Sequence, residues 1–160
     1  MNVMLEDVLG AGCVDAVNVS SLVGKKFTDV STDTRILKPG ALFFALRGTR
    51  VDGHEFIREA FAKGASCVVI DERASRDGFQ NQPAVIVRDT IRALGELARR
   101  YRTKFSLPVI AVAGSNGKTT TKEMVSTALR KCYRVHQTQE NFNNHIGVPM
   151  TLFGLSLIHI

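Results

Sequence analysis

The segment VIAVAGSNGKTTTKEM at 109–124 holds the residues best suited to chemistry. It reads as an apolar strand, a glycine turn and a helix opening on Lys118 and Thr119. That order gathers backbone N–H groups, a helix N-terminus and one ammonium around a single point, and such a point binds phosphate. Only Ser115 and Asn116 separate Gly114 from Gly117, so the loop is shorter than the usual G-x-x-x-x-G-K-[ST] pattern. The chemistry survives the shortening. The glycines permit a tight turn, the amides through Thr120 face inward, and Lys118 reaches the β- and γ-phosphates. The Thr119 hydroxyl is suited to Mg²⁺, which keeps several waters and takes few protein ligands. A nucleotide is the expected ligand. A plain strand-to-helix turn with a surface lysine is the alternative, and the flanking strand and amphipathic helix argue against it.

Three further polar clusters lie near element ends. Ser31, Thr32, Asp33 and Arg35 follow a predicted strand. Arg47 follows another, and Asp52 and His54 open a helix. Asn141, Asn143 and Asn144 sit in a polar loop. Each cluster also has a purely structural use. Thr32 and Asp33 suit side chain-to-backbone bonds, His54 suits packing at a helix start, and the asparagines suit turns. His136 and His145 have no spaced partner, so no metal is assigned to them.

The elements that position these residues follow from apolar periodicity. A helix is expected over 4–9, a strand over 27–30 and a turn at Pro39 and Gly40. The run ALFFAL at 41–46 is apolar without alternation, which predicts a strand covered on both faces. Asp52 and Glu55 predict a capping box for a helix with Phe56, Ile57, Ala60 and Phe61 inward. Strands are expected over 67–70 and 84–87, with a loop over 73–82 between them. Asp89 caps a longer helix that turns Ile91, Leu94, Leu97, Ala98 and Tyr101 to one side. A boundary is placed near 106. Beyond it come a strand, the glycine loop, a helix burying Met124, Val125, Ala128, Leu129 and Cys132, a second strand over 133–137, and a short helix. About 45 residues is near the size at which a lone domain needs outside help, so this second unit is expected to be incomplete.

Composition narrows the class. The chain has 160 residues, 44% hydrophobic and 22% charged, which is ordinary for a folded protein. No apolar run reaches the length of a membrane span, and 1–7 does not read as a signal peptide. The expected location is the cytoplasm. Cys13, Cys67 and Cys132 show neither disulfide nor metal spacing, and Cys67 and Cys132 are expected in the core. The net charge of +6 suits either nucleic acid or an anionic small substrate. The basic run 99–104 lies on an amphipathic helix and reads as a solvated face; no nucleic-acid-binding motif accompanies it.

The short GSNGKTT loop resembles that of the Mur ligase family and the related folylpolyglutamate synthetases. The resemblance extends to STDTR at 31–35, KPGALFFALRG at 38–48 and DGHEF at 52–56, which look like that family's N-terminal uridine-nucleotide-binding domain. NFNNHIGVPMTL at 141–152 is most similar to the member adding D-alanyl-D-alanine, whereas the member adding the third stem-peptide residue has a Thr-rich segment there. The resemblance implies an α/β fold: a small mixed domain over 1–105, then the start of a parallel-sheet P-loop ATPase domain over 106–154.

It also implies an ATP-dependent amide ligase of peptidoglycan synthesis. ATP and Mg²⁺ would be the cofactors, and UDP-N-acetylmuramoyl-tripeptide and D-alanyl-D-alanine the substrates, joined through an acyl phosphate. Residues 114–120 would hold the ATP phosphates, with Lys118 catalytic and Thr119 on Mg²⁺. Ser31, Thr32, Arg35, Arg47, Asp52 and His54 would frame the UDP end, with Arg35 alternatively holding an aspartate. Asn141, Asn143 and Asn144 would meet the sugar and peptide. The full-length protein is expected to be a monomer that binds no nucleic acid, and the 160-residue chain is expected to be inactive alone. The third-residue-adding ligase, a folate-type ligase and a non-catalytic UDP-sugar-binding module are the competing readings.

The final six residues, LSLIHI at 155–160, are what CTGTCTCTTATACACATC encodes, an end sequence of a common sequencing-library adapter. They are expected to be a non-native tail, which resequencing the gene decides.

Overall fold

The computed structural model describes residues 1–49, 51–77, 79–139 and 142–155. Four consecutive apolar runs build a parallel sheet: β4 (Val30–Ser31), β5 (Leu42–Phe44), β6 (Cys67–Asp71) and β7 (Ala84–Val87) lie side by side in chain order. An antiparallel edge strand, β2 (Cys13–Val17), completes the sheet beside β7. β1 (Val3–Met4) and β3 (Lys26–Phe27) form a separate antiparallel pair.

Side chains alternate across a strand, and both faces of this sheet are covered. Phe44, Cys67, Val69, Val85 and Val87 point to one side and pack with α1 (Leu5–Leu9) and α3 (Thr90–Thr103). Phe43, Val68, Ile70, Ala84 and Ile86 point to the other and pack with α2 (Ile57–Ala62). Every residue of β5, β6 and β7 is buried, as expected of strands that read apolar without alternation. Burial pushes the Cys67 thiol up to about 12.

The expected strand over 27–30 is two strands. Phe27 pairs with Val3 and Val30 with Leu42, so the chain changes sheets between them. β2 was not expected; its residues are half-buried or exposed, so its apolar pattern is weak. The Asp52 carboxylate caps a 3₁₀ turn by accepting from the His54 N–H at 3.0 Å, and α2 starts at Ile57. The expected return bond from Glu55 is not formed among the described residues. The Asp89 carboxylate accepts from the N–H groups of Ile91 and Arg92 at 2.9 and 3.0 Å, and α3 follows as expected. Asp89→Ala removes this cap and costs about 1 kcal/mol, measured as a shift in urea midpoint.

The basic run at the end of α3 is tied down. Arg99 and Arg100 pair with Glu96, Arg102 donates to the carbonyls of Phe105 and Leu107, and Lys104 meets Asp7. The two arginines, Arg99 first, hold the Glu96 carboxyl at about 2.

The second unit differs most from expectation. Residues 109–113 and 133–137 form no strand among the described residues. Val109, Ile110 and Tyr133 are exposed, as is Met124 on α4 (Lys118–Leu129). Cys132 is exposed rather than in the core. An extended apolar run becomes a strand only when a neighbour accepts its ladder of hydrogen bonds, and no such neighbour lies among the described residues. α5 (Gly147–Phe153) behaves otherwise. It packs on α3, and Phe153 and Leu155 join the core of the first unit. The Tyr101 hydroxyl donates to the Leu155 carbonyl at 2.6 Å, a main-chain acceptor that any residue at 155 would offer. Thus 155, assigned to the suspected tail, is packed; 156–160 lie outside the described residues.

Candidate functional site

Gly117 adopts φ +74°, a left-handed conformation that a Cβ disfavours, and it turns the chain directly into α4. The first helix-closing bond runs from the Thr121 N–H to the Gly117 carbonyl at 2.9 Å. Among the described residues the amides of Lys118, Thr119 and Thr120 therefore have no acceptor, as the first turn of a helix requires. They point along the positive end of a 12-residue helix. The Lys118 Nζ bends back over the loop and donates to the carbonyls of Gly114 and Ser115 at 2.7 and 3.2 Å. Ser115, Asn116, Thr119 and Thr120 are exposed. Free amides, an ammonium at the mouth and an accessible hydroxyl fit a triphosphate with its Mg²⁺.

A second group of residues lies beyond the carboxyl ends of the parallel strands, where open α/β sheets bind ligands. Ser31 ends β4. Its hydroxyl donates to the Asp33 carbonyl at 2.9 Å and accepts the Asp33 N–H at 3.2 Å. The Arg35 guanidinium grips the Asp33 carboxylate through Nε and Nη2. That bond, opposed by partial burial, holds the Asp33 carboxyl below its ordinary range. Arg35 thus holds an aspartate while its side chain stays 84% exposed. Thr32 is half-buried.

Arg47, Asp52 and His54 converge with Asp71, the last residue of β6, which belongs to none of the polar clusters marked by the sequence. The Arg47 Nε donates to Asp71 Oδ2 at 2.7 Å and its Nη1 to Asp52 Oδ2. The His54 ring is 9% exposed on its side chain and lies 2.6 Å from Asp52 Oδ1 through Nδ1. Its Nε2 accepts the Asp71 N–H at 3.2 Å, which assigns the ring proton to Nδ1. The Asp71 carboxyl is held low chiefly by Arg47, against burial and with help from the Arg73 N–H. For Asp52, burial acts upward but is outweighed by the His54 N–H and ring and by Arg47. The available signal was the carboxylate closing the buried run CVVID at 67–71.

These shifts set a pH dependence. A depressed carboxyl stabilises the fold fully above its unfolded value, about 3.9, and the contribution is lost as pH falls through the lower folded value. Arg47→Ala is expected to lower stability at pH 7, with the gap to wild type closing below about pH 4. Urea unfolding at stepped pH measures it, and a gap constant down to about pH 3 contradicts this account.

The Asn144 side-chain amide oxygen, Oδ1, accepts the N–H groups of Ile146 and Gly147 at 3.0 and 2.7 Å, so Asn144 forms the turn that opens α5. Asn143 is exposed and lines a groove of about 640 Å³ between α5 and α3, with Arg92 and Arg99 opposite. Asn141 lies outside the described residues. Among those residues, no hydrogen bond or ion pair joins the phosphate loop to the cluster at the sheet edge.

Two family profiles match the chain: "Mur ligase family, catalytic domain" over 26–102 and "Mur ligase middle domain" over 112–157. The chain belongs to the Mur ligase family. Among curated Mur ligases, the UDP-N-acetylmuramoyl-tripeptide--D-alanyl-D-alanine ligase of Bacillus subtilis is 46% identical over 79% of this chain and 27% of its own length. Crystal structure I of MurF from Acinetobacter baumannii matches 98% of this chain and 34% of its own, with TM-score 0.85 and 33% identity. The MurF ligase of Thermotoga maritima, in complex with ADP, matches 80% of this chain and 29% of its own, with TM-score 0.71 and 32% identity. The chain thus spans about a third or less of the Mur ligases it matches.

Proposed function

We propose that this chain forms the substrate-recognition unit and phosphate loop of an ATP-dependent ligase that joins D-alanyl-D-alanine to UDP-N-acetylmuramoyl-tripeptide. The observation that carries the reading is the glycine turn at 114–117, which leaves free amides and the Lys118 ammonium at one helix start. The gap between the two matched ranges supports a UDP-substrate unit over 1–105 and an ATP unit beginning at 106. The Asn-rich segment at 141–144 and the names of the relatives favour D-alanyl-D-alanine as the amine.

A carboxylate acylates poorly, and ATP supplies the phosphate that turns its oxygen into a leaving group. The protein contributes position and charge. The amides of 118–120 and the Lys118 ammonium hold the phosphates. The Thr119 hydroxyl is the Mg²⁺ ligand. Ser31, Thr32, Arg35, Arg47, Asp52 and His54 form the rim that receives the UDP end. Work on ATP and a uridine nucleotide suits the cytoplasm. No described helix is long and apolar enough to cross a membrane.

The test is phosphate release by the full-length enzyme given ATP, UDP-N-acetylmuramoyl-tripeptide and one amine. D-alanyl-D-alanine is expected to drive release. Release with a diamino acid or lysine on a dipeptide-bearing nucleotide, and none with D-alanyl-D-alanine, would reassign the chain to the third-residue-adding ligase.

A further inference from the structure

We infer that Asp71 is a positioning residue of the UDP-substrate site, acting through Arg47. The inference rests on the reading above that Arg47 meets the substrate. Asp71 ends a fully buried strand, and its side chain is 10% exposed, so its carboxylate is fixed by the sheet itself. It takes two donors of one guanidinium: Nε at 2.7 Å and Nη2 at 3.3 Å. Asp52 takes a third donor, Nη1, from across the base of the hairpin where Arg47 pairs with Asp52. The planar fork is therefore held in one orientation from two sides. One proton on each Nη meets no acceptor among the described residues, and the Arg47 side chain is 46% exposed. Those protons are what the site offers to a ligand.

His54 completes the brace. With its proton on Nδ1 toward Asp52 and its Nε2 taken by the Asp71 N–H, it ties the hairpin base to the strand end. No bond in this group depends on a ligand, so the geometry is set before binding, which lowers the ordering cost.

Charge separates positioning from simple attraction. Two carboxylates face one guanidinium, with His54 neutral, so the group is net negative. The substrate is anionic. Asp71→Asn removes a negative charge, and attraction alone would then tighten binding. Positioning predicts the reverse, because a neutral amide cannot take both Arg47 donors.

The experiment measures KM for UDP-N-acetylmuramoyl-tripeptide in the full-length enzyme. Asp71→Asn is expected to raise it about tenfold while KM for ATP stays at the wild-type value. Arg47→Ala is expected to raise it at least as far, and the double variant no further than Arg47→Ala alone. An unchanged or lowered KM in Asp71→Asn, or effects that multiply in the double variant, overturns the inference. If Arg47→Ala leaves KM unchanged, the assignment of Arg47 to the substrate fails instead. Should Asp71→Asn not fold, Arg47→Lys replaces it. A point charge cannot span Asp71 and Asp52, so a KM matching Arg47→Ala supports positioning and a wild-type KM overturns it.

Discussion

Lys118→Ala lowers ligase turnover about 100- to 1,000-fold, the loss typical of removing one aligned donor from developing charge. The ammonium is held at the loop mouth by the carbonyls of Gly114 and Ser115, so it needs little rearrangement to meet a phosphate. The variant keeps the free amides of α4, and some nucleotide binding remains through them. Among the described residues the side chain bonds only to its own loop, so stability is expected to hold. Steady-state phosphate release by the full-length enzyme, with a urea melt as control, measures both. Turnover within about threefold of wild type, against the expected scale for such a donor, would remove Lys118 from the chemistry.

Phe44→Ala destabilises the fold by about 3–5 kcal/mol. Phe44 is fully buried in β5, between β4 and β6, and its ring lies in the core cluster shared with α3 and Phe153. The neighbours on that side, Cys67 and Val69, are set by the sheet and cannot collapse far into the space left behind. With typical domain stability of about 5–15 kcal/mol, the variant loses a large fraction of its folded margin. Urea unfolding followed by circular dichroism measures it. A loss under about 1 kcal/mol would show that the sheet relaxes around the gap.

The first unit was legible because each apolar run carries its own instruction. ALFFAL, CVVI and AVIV are apolar on both alternating faces, and only a sheet covered on two sides accommodates that. Asp89 marks α3 through a cap that needs no tertiary partner. The exceptions are elements whose identity depends on neighbours. β2 exists because β7 has an open edge, and the run at 27–30 splits because Phe27 and Val30 find partners in different sheets. The run VIAVA at 109–113 is as apolar as these and YRVHQ at 133–137 less so, but neither meets a neighbouring strand among the described residues.

For the site, local sequence determined the phosphate loop: two glycines, a lysine and a helix start specify free amides and an ammonium by short-range geometry alone. It also specified turn chemistry, such as Asp33 with Arg35 and the Asn144 cap. Only the tertiary structure decided that Arg47, Asp52 and His54 answer to Asp71, a residue 24 positions from Arg47 along the chain. A strand of the parallel sheet stops beside its neighbour wherever register places it, and register is a property of the whole sheet. Likewise, nothing in 147–153 by itself sends Phe153 into the first unit's core; the apolar surface of α3 does.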